Sequence, residues 1–280
     1  MATEGSRTRR RRWWALAIAV VLIGAALVVV RVLVLNDVTH QLTTAEALDR
    51  FRDSAPSAPG TTTTTAPLTT ARRQQTLPAL GVYRYATVGR ESIDALDGAE
   101  HVYPDETTIT YTSADCGVQL QWDALKERHD VWRLCITSEG IELQPTGGAY
   151  HVFFGQEKVE DLACDRSVLL IAAEPPATTS SEPAPLTCTI GGAPWFPVWQ
   201  VLERTTRTVQ GTDVAVQHVQ MTVTDEDQYH EHITLDWFLD DHGLLIAAEL
   251  AKETLADTVV GGVTYKETFS LALISPDPLR

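Results

Sequence analysis

The sequence predicts an all-β exterior domain, an antiparallel meander forming a curved sheet, half-barrel or sandwich, preceded by one transmembrane helix. Three observations lead there. An uncharged apolar run follows an Arg cluster near the N-terminus. Residues 77–280 break into short apolar or alternating runs separated by turn compositions. The charge is also split: 77–280 carries 12 basic and 32 acidic side chains, net −20, whereas residues 1–31 carry six Arg and one Glu, net +5.

Trp13 to Val30 is 18 residues without a charge or a Pro. As a helix it spans roughly 27 Å, close to the hydrocarbon thickness of a bilayer. With the apolar residues after Arg31, the expected span is 13–35, and the membrane is the first expected partner. Trp13 and Trp14 suit the aromatic belt, and the basic tail 1–12 places the N-terminus in the cytoplasm. The run is longer than the core of a cleaved signal peptide, and no A-x-A site follows it. The rest of the chain is then outside the cell membrane. An acidic exterior repels phosphate, so nucleic acid is not an expected partner.

Residues 36–53 read as a short juxtamembrane helix. Thr43 or Thr44 caps it, and Leu42, Ala45, Leu48 and Phe51 share a face. Residues 54–76 are rich in Ser, Thr and Pro and read as a linker or stalk. A second such stretch, 174–185, forms a Pro-rich loop inside the exterior domain 77–280.

Within that domain GVYRYATVG, TTITYT, CGVQLQW and DVWRLCIT are strand-like, the last two forming a hairpin across DALKERH. Val118, Leu120 and Trp122 share one face. Shorter apolar runs follow. From Pro197 onward five longer runs are separated by QG, DEDQ, DDHG and ADTVVGG, the spacing of a meander. GLLIAAELAKET has helix-forming composition, but its place between two strands with short turns makes it a strand.

Four cysteines outside the membrane read as two disulfides. Cys116 and Cys135 sit at the open end of the hairpin, and Cys164 and Cys188 bracket the Pro-rich loop. The expected pairs are therefore 116–135 and 164–188. Their spacings of 19, 29 and 24 do not fit the close pairs of a zinc site.

Candidates for chemistry are few. In YHEHITLD, His230, His232 and Asp236 fall on one strand face, with His218 on the neighbouring strand. This is a possible divalent-metal face, but it is also the polar face of a half-buried strand. No G-x-S-x-G, H-E-x-x-H or P-loop motif is present, so no catalytic residues and no cofactor are assigned. Trp195, Phe196 and Trp199 follow a Gly-Gly-Ala-Pro break. With Phe153 and Phe154 they are the candidates to line an apolar groove.

GVYRYATVGRESIDAL, YPDETTITYT, CGVQLQWDALKERHDVWRLC and the Y-x-E-x-x-x-L-x-L pattern from Tyr265 to Leu273 resemble a family of actinobacterial membrane-anchored extracytoplasmic proteins. No functional residue is carried over from that resemblance. LDWFLDDHGLL, Leu235 to Leu245, is more distantly similar to the sheet of bacterial lipoprotein-carrier domains. This implies a curved half-barrel that holds acyl chains. The expectation is a membrane-anchored binding domain for a lipid-like or apolar ligand, without catalysis. The alternatives are a structural or protein-interaction module of the cell envelope, and a metal-dependent hydrolase.

Overall fold

A computed structural model describes residues 39–54, 76–94, 100–153, 156–173, 181–225, 230–258 and 261–280. The expected membrane span 13–35 and basic tail 1–12 lie outside the described residues, as do 55–75 of the linker, 174–180 of the Pro-rich loop and Phe154. No helix among the described residues is long and apolar enough to cross a membrane. Residues Thr39–His151 and Glu157–Arg280 form one compact unit.

Among its described residues that unit has one helix, α1 (Thr44–Ser54), and is otherwise built from strands. The first group is β1 (Gly81–Ile93), β2 (Glu100–Val102), β3 (Glu106–Ala114), β4 (Gly117–Leu125), β5 (Arg128–Ile136), β6 (Gly140–Leu143), β7 (Thr146–Phe153), β8 (Gln156–Cys164) and β9 (Val168–Ala172). The second is β10 (Ala184–Pro185), β11 (Cys188–Ile190), β12 (Ala193–Trp195), β13 (Val198–Val209), β14 (Thr212–Asp225), β15 (Glu231–Leu239), β16 (Leu245–Thr258) and β17 (Gly261–Leu273). The GLLIAAELAKET run is strand β16: flanked on both sides by hydrogen-bonded neighbours, its tertiary pairing overrides its helix propensity.

The strands pair antiparallel as two meanders, β13 through β17 and β3 through β6. β1 lies between them, on β17 along one edge and on β3 along the other. The first strand of the domain therefore pairs with the last, and Val82 adds a bridge to Leu279 at the C-terminus. The result is one large curved sheet that does not close. Bulges in β13 and at the β15–β16 and β4–β5 pairings help the bend.

Alternation decides what the bend encloses. Tyr83 and Tyr85 of β1, Ile109 and Tyr111 of β3, and Leu120 and Trp122 of β4 all point inward and are buried. The two meanders meet across this interior. Trp237 of β15 packs edge-on to Trp132 of β5, at 5.3 Å between ring centres, and to Trp199 of β13 at 5.6 Å. The phenols inside are satisfied: Tyr85 donates to the Leu245 carbonyl at 2.7 Å, and Tyr111 accepts from the Leu245 N–H at 3.0 Å. These two bonds fix the start of β16, after the Asp240–Gly243 turn. There Gly243 adopts φ 79° beneath the side chains of Leu134 and Ile141.

Helix α1 belongs to the same body as the strands. Thr43 and Glu46 form a reciprocal cap, Thr43 N to Glu46 Oε2 at 2.9 Å and Glu46 N to Thr43 Oγ1 at 3.3 Å. Leu42 and Ala47 bury themselves against Val82, with Leu48 and Phe51 alongside. Lys126 pairs with Glu46 at 2.5 Å, and the Lys126 N–H bonds the His40 carbonyl. The chain on both sides of residues 55–75 is thus fixed to one folded unit.

Burial of this helix face is worth about 2–4 kcal/mol, and each kcal/mol moves Tm by roughly 2–4 °C in a domain of this size. A chain starting at residue 39 is expected to melt roughly 4–16 °C above one starting at residue 76. Equal melting temperatures would show that α1 adds nothing to the core.

Candidate functional site

A cavity opens where β5 changes neighbours. The N-terminal half of β5 pairs with β7 and its C-terminal half with β6. The chain from Leu143 to Ala149 crosses between them and forms one wall. Gly147 makes this crossing possible, because a Cβ there would lie 2.6 Å from the Val131 carbonyl. The inner walls are Trp132, Trp199, Met221, Leu235, Leu250 and Phe269. The outer wall comes from β8, β11 and β12 through Leu162, Ile190 and Trp195. The water-accessible volume is about 150 Å³.

The expected disulfides build that outer wall and brace β4 against β5. Cys116 is bonded to Cys135 and Cys164 to Cys188. Cys164 and Cys188 face each other across the β8–β11 pair, and Cys164 lines the cavity. Trp195 Nε1 donates to Glu231 at 3.1 Å, tying β12 to β15.

Of the expected groove residues, Trp195 and Trp199 line the cavity. Phe196 does not: it lies in the link between β12 and β13 and is 62% exposed. The side chain of Phe153 lies outside the described residues, as does Phe154.

The expected metal face separates. His218 Nε2 lies 2.6 Å from Asp236 Oδ1, and Gln220 Nε2 donates to the same oxygen at 2.9 Å. His232 is on β15, but His230 precedes the strand with a left-handed φ of 42°, so it does not continue the period-2 row. Among the described residues no three His, Cys, Asp or Glu converge as metal ligands. The His218 ring instead stacks on Phe238, at 4.5 Å.

The polar end of the cavity is a site the sequence reading missed. Glu91 of β1 is 0% exposed, and Glu267 of β17 and Arg128 of β5 are buried beside it. The Arg128 guanidinium lies 3.1 Å from Glu91 and 2.9 Å from Glu267, and a further nitrogen reaches Asp130 at 3.3 Å. His101 Nδ1 and His151 Nε2 each lie 2.9 Å from Glu91. Tyr265 donates to Glu91 at 2.9 Å and Tyr103 to Glu267 at 2.9 Å. Trp122 and Tyr103 lie against the guanidinium.

Burial alone would raise the Glu91 carboxyl, but hydrogen bonds from His101 and His151 and the Arg128 charge outweigh it. Glu91 is held well below the usual carboxylate range. Burial pushes the Tyr103 and Tyr265 phenols well up, so both remain protonated donors. Glu91 is enclosed; Arg128, Asp130 and Glu267 are the cluster members that reach the cavity.

Parity carried the signal for this cluster. Tyr83, Tyr85, Thr87, Gly89 and Glu91 alternate inward along β1, as do Tyr265, Glu267, Phe269 and Leu271 along β17. An acid in phase with core residues marks a buried charge. Its partners on β2, β5 and β7 follow from register, which the sequence does not display.

A carboxyl held low in the folded state stabilises above its ordinary pKa of about 4.5 and loses that contribution as pH falls through the folded value. Wild-type stability is therefore expected to drop as pH falls below about 5. Glu91→Gln leaves Arg128 without one of its buried counter-charges and is expected to cost about 3–5 kcal/mol at pH 7. Its denaturant midpoint is also expected to vary less between pH 5 and pH 2. An acid limb as steep as wild type would remove Glu91 as its source.

Comparison with protein-family models, curated proteins and solved structures finds no match to this chain.

Proposed function

We propose that this chain is a membrane-anchored extracytoplasmic binding domain for a small apolar or lipid-like molecule, held by a span at residues 13–35 with its N-terminus in the cytoplasm. The observation that carries this reading is the cavity between the two meanders. Its walls are largely aromatic and aliphatic, and Arg128, Asp130 and Glu267 bring the buried charged cluster to it. A well-packed interior leaves few such voids, and an apolar cavity of about 150 Å³ takes a benzene-sized guest. The cavity therefore seats one ring or a short stretch of chain, with the rest of the ligand at the mouth. A half-barrel that holds acyl chains, as the similarity to lipoprotein carriers implies, is one form of this reading.

A second reading, a protein-interaction module of the envelope, rests on a different surface. Val88 and Val102 are 75% and 65% exposed and flank an open groove on the outer side of β1 and β2. Apolar side chains in that position suit a partner protein.

Leu250→Trp is the discriminating variant, because it fills the cavity from its inner wall and leaves the outer groove untouched. Native mass spectrometry of residues 39–280 is expected to show a releasable adduct on wild type and none on L250W. Bare masses for both, with a partner lost on Val88→Asp, would favour the interaction module instead.

A further inference from the structure

Very little chain separates the expected span from the fold. On the anchored reading above, the span ends at residue 35 on the outer side of the membrane. The chain is fixed to the domain again at His40. Its carbonyl accepts from the Lys126 N–H at 2.8 Å, and its own N–H donates to Glu127 at 2.9 Å. The steps from residue 35 to residue 40 reach at most about 17 Å when fully extended. A domain of this size is roughly 40 Å across. The tether is thus shorter than the domain is wide, and the headgroup layer takes part of it. Residues 55–75, whose composition suits a stalk, come after α1 in the chain and do not lengthen this connection.

His40 is held at one particular place, the Lys126–Glu127 turn between β4 and β5. Register says what else lies at that end. Arg128, the first residue of β5, stands opposite His151, and β7 runs on only to Phe153. The end of β7 therefore lies beside the turn that holds His40. Its sequence there is Tyr-His-Val-Phe, and Tyr150 stacks on His129 at 5.1 Å. Turns favour polar residues, so an aromatic and apolar strand end suits an interface. The charged side chains around the turn are already matched. Lys126 pairs with Glu46, Arg50 with Asp123, and Glu127 is bonded to His40. Charges with partners lose less on nearing a low-dielectric surface than charges that stand alone.

Resting on the span at 13–35, we infer that one end of the domain lies against the bilayer: the β4–β5 turn, the N-terminal end of α1 and the end of β7, with Phe153 at the lipid interface. The domain is then a lipid-facing module, held down by its tether, rather than one displayed on a stalk. Aromatic residues belong at that depth, where an apolar ring meets the headgroups.

The test uses the full chain reconstituted in phosphatidylcholine vesicles. The photo-cross-linker p-benzoylphenylalanine, which inserts into C–H bonds, replaces Phe153 in one chain and Asp115 in another. Asp115 is exposed in the β3–β4 turn, at the opposite end of β4, roughly 30 Å along the strand. Melting curves check that each variant is folded, and flotation after an alkaline wash reports the anchor. The inference expects illumination to give a phospholipid adduct at 153, severalfold above that at 115. About 20 residues of Gly and Ser inserted after Val38 should cut the adduct at 153 severalfold, because they lift the limit on reach. If the chain floats but 153 labels no more than 115, or the insertion changes nothing, this inference fails while the anchored reading stands. If the chain does not float, the span itself fails and takes the inference with it.

Discussion

A carboxylate without water must be met by donors, and Glu91 imposes that requirement at the centre of this fold. It sits near the C-terminal end of β1, on the inward face, where solvent does not reach it. Its partners come from four other strands or their ends: His101 from β2, Arg128 from β5, His151 from β7 and Tyr265 from β17. Removing a buried charge's counter-ions costs several kcal/mol. Any arrangement that shifts one of these strands out of register breaks the set. The cluster is thus a positional constraint as much as an ion pair, and it acts on the seam where the first strand meets the last.

That seam explains why the interior has both a dense part and an open part. Around Trp122, Trp237 and Tyr85 the two meanders press together, the Tyr85 phenol donating to the Leu245 carbonyl and the Trp122 indole to Thr107. Toward the other side of the cluster, β5 exchanges β6 for β7, and the wall passes to short strands braced by the 164–188 disulfide. Short strands with few ladder bonds cannot draw the sheet tight, so a void remains between them and the inner wall of long strands β13 to β17. The charged cluster marks the boundary between these regions, and the void inherits Arg128, Asp130 and Glu267 as its polar end.

Helix α1 changes how the rest of the chain is connected. Composition alone makes residues 54–76 a tether between anchor and domain. The contacts of α1 with Val82, Lys126 and Glu106 place the helix on the domain itself. The Ser/Thr/Pro segment then leaves and returns to one body, and the connection from the expected span to the fold is the short stretch before residue 39.

What the sequence determined by itself is local or periodic. Alternation in CGVQLQW placed Val118, Leu120 and Trp122 inside, and Asp-Asp-His-Gly marked the turn before β16. The cysteine positions matched the ends of a hairpin and of a loop, and the Thr43–Glu46 spacing marked the helix cap. These features depend on residues near one another in the chain, so pattern suffices. The tertiary structure alone decided that β1 pairs with β17, that His230 leaves the row of His232 and Asp236, and that Phe196 turns outward beside Trp195. It alone gathered Glu91, Arg128 and Glu267, residues 37 and 139 positions apart along the chain. The inward phase of each acid was visible, but its partner was not. Period-2 alternation reports which face a residue takes, and only register between distant strands reports what stands opposite.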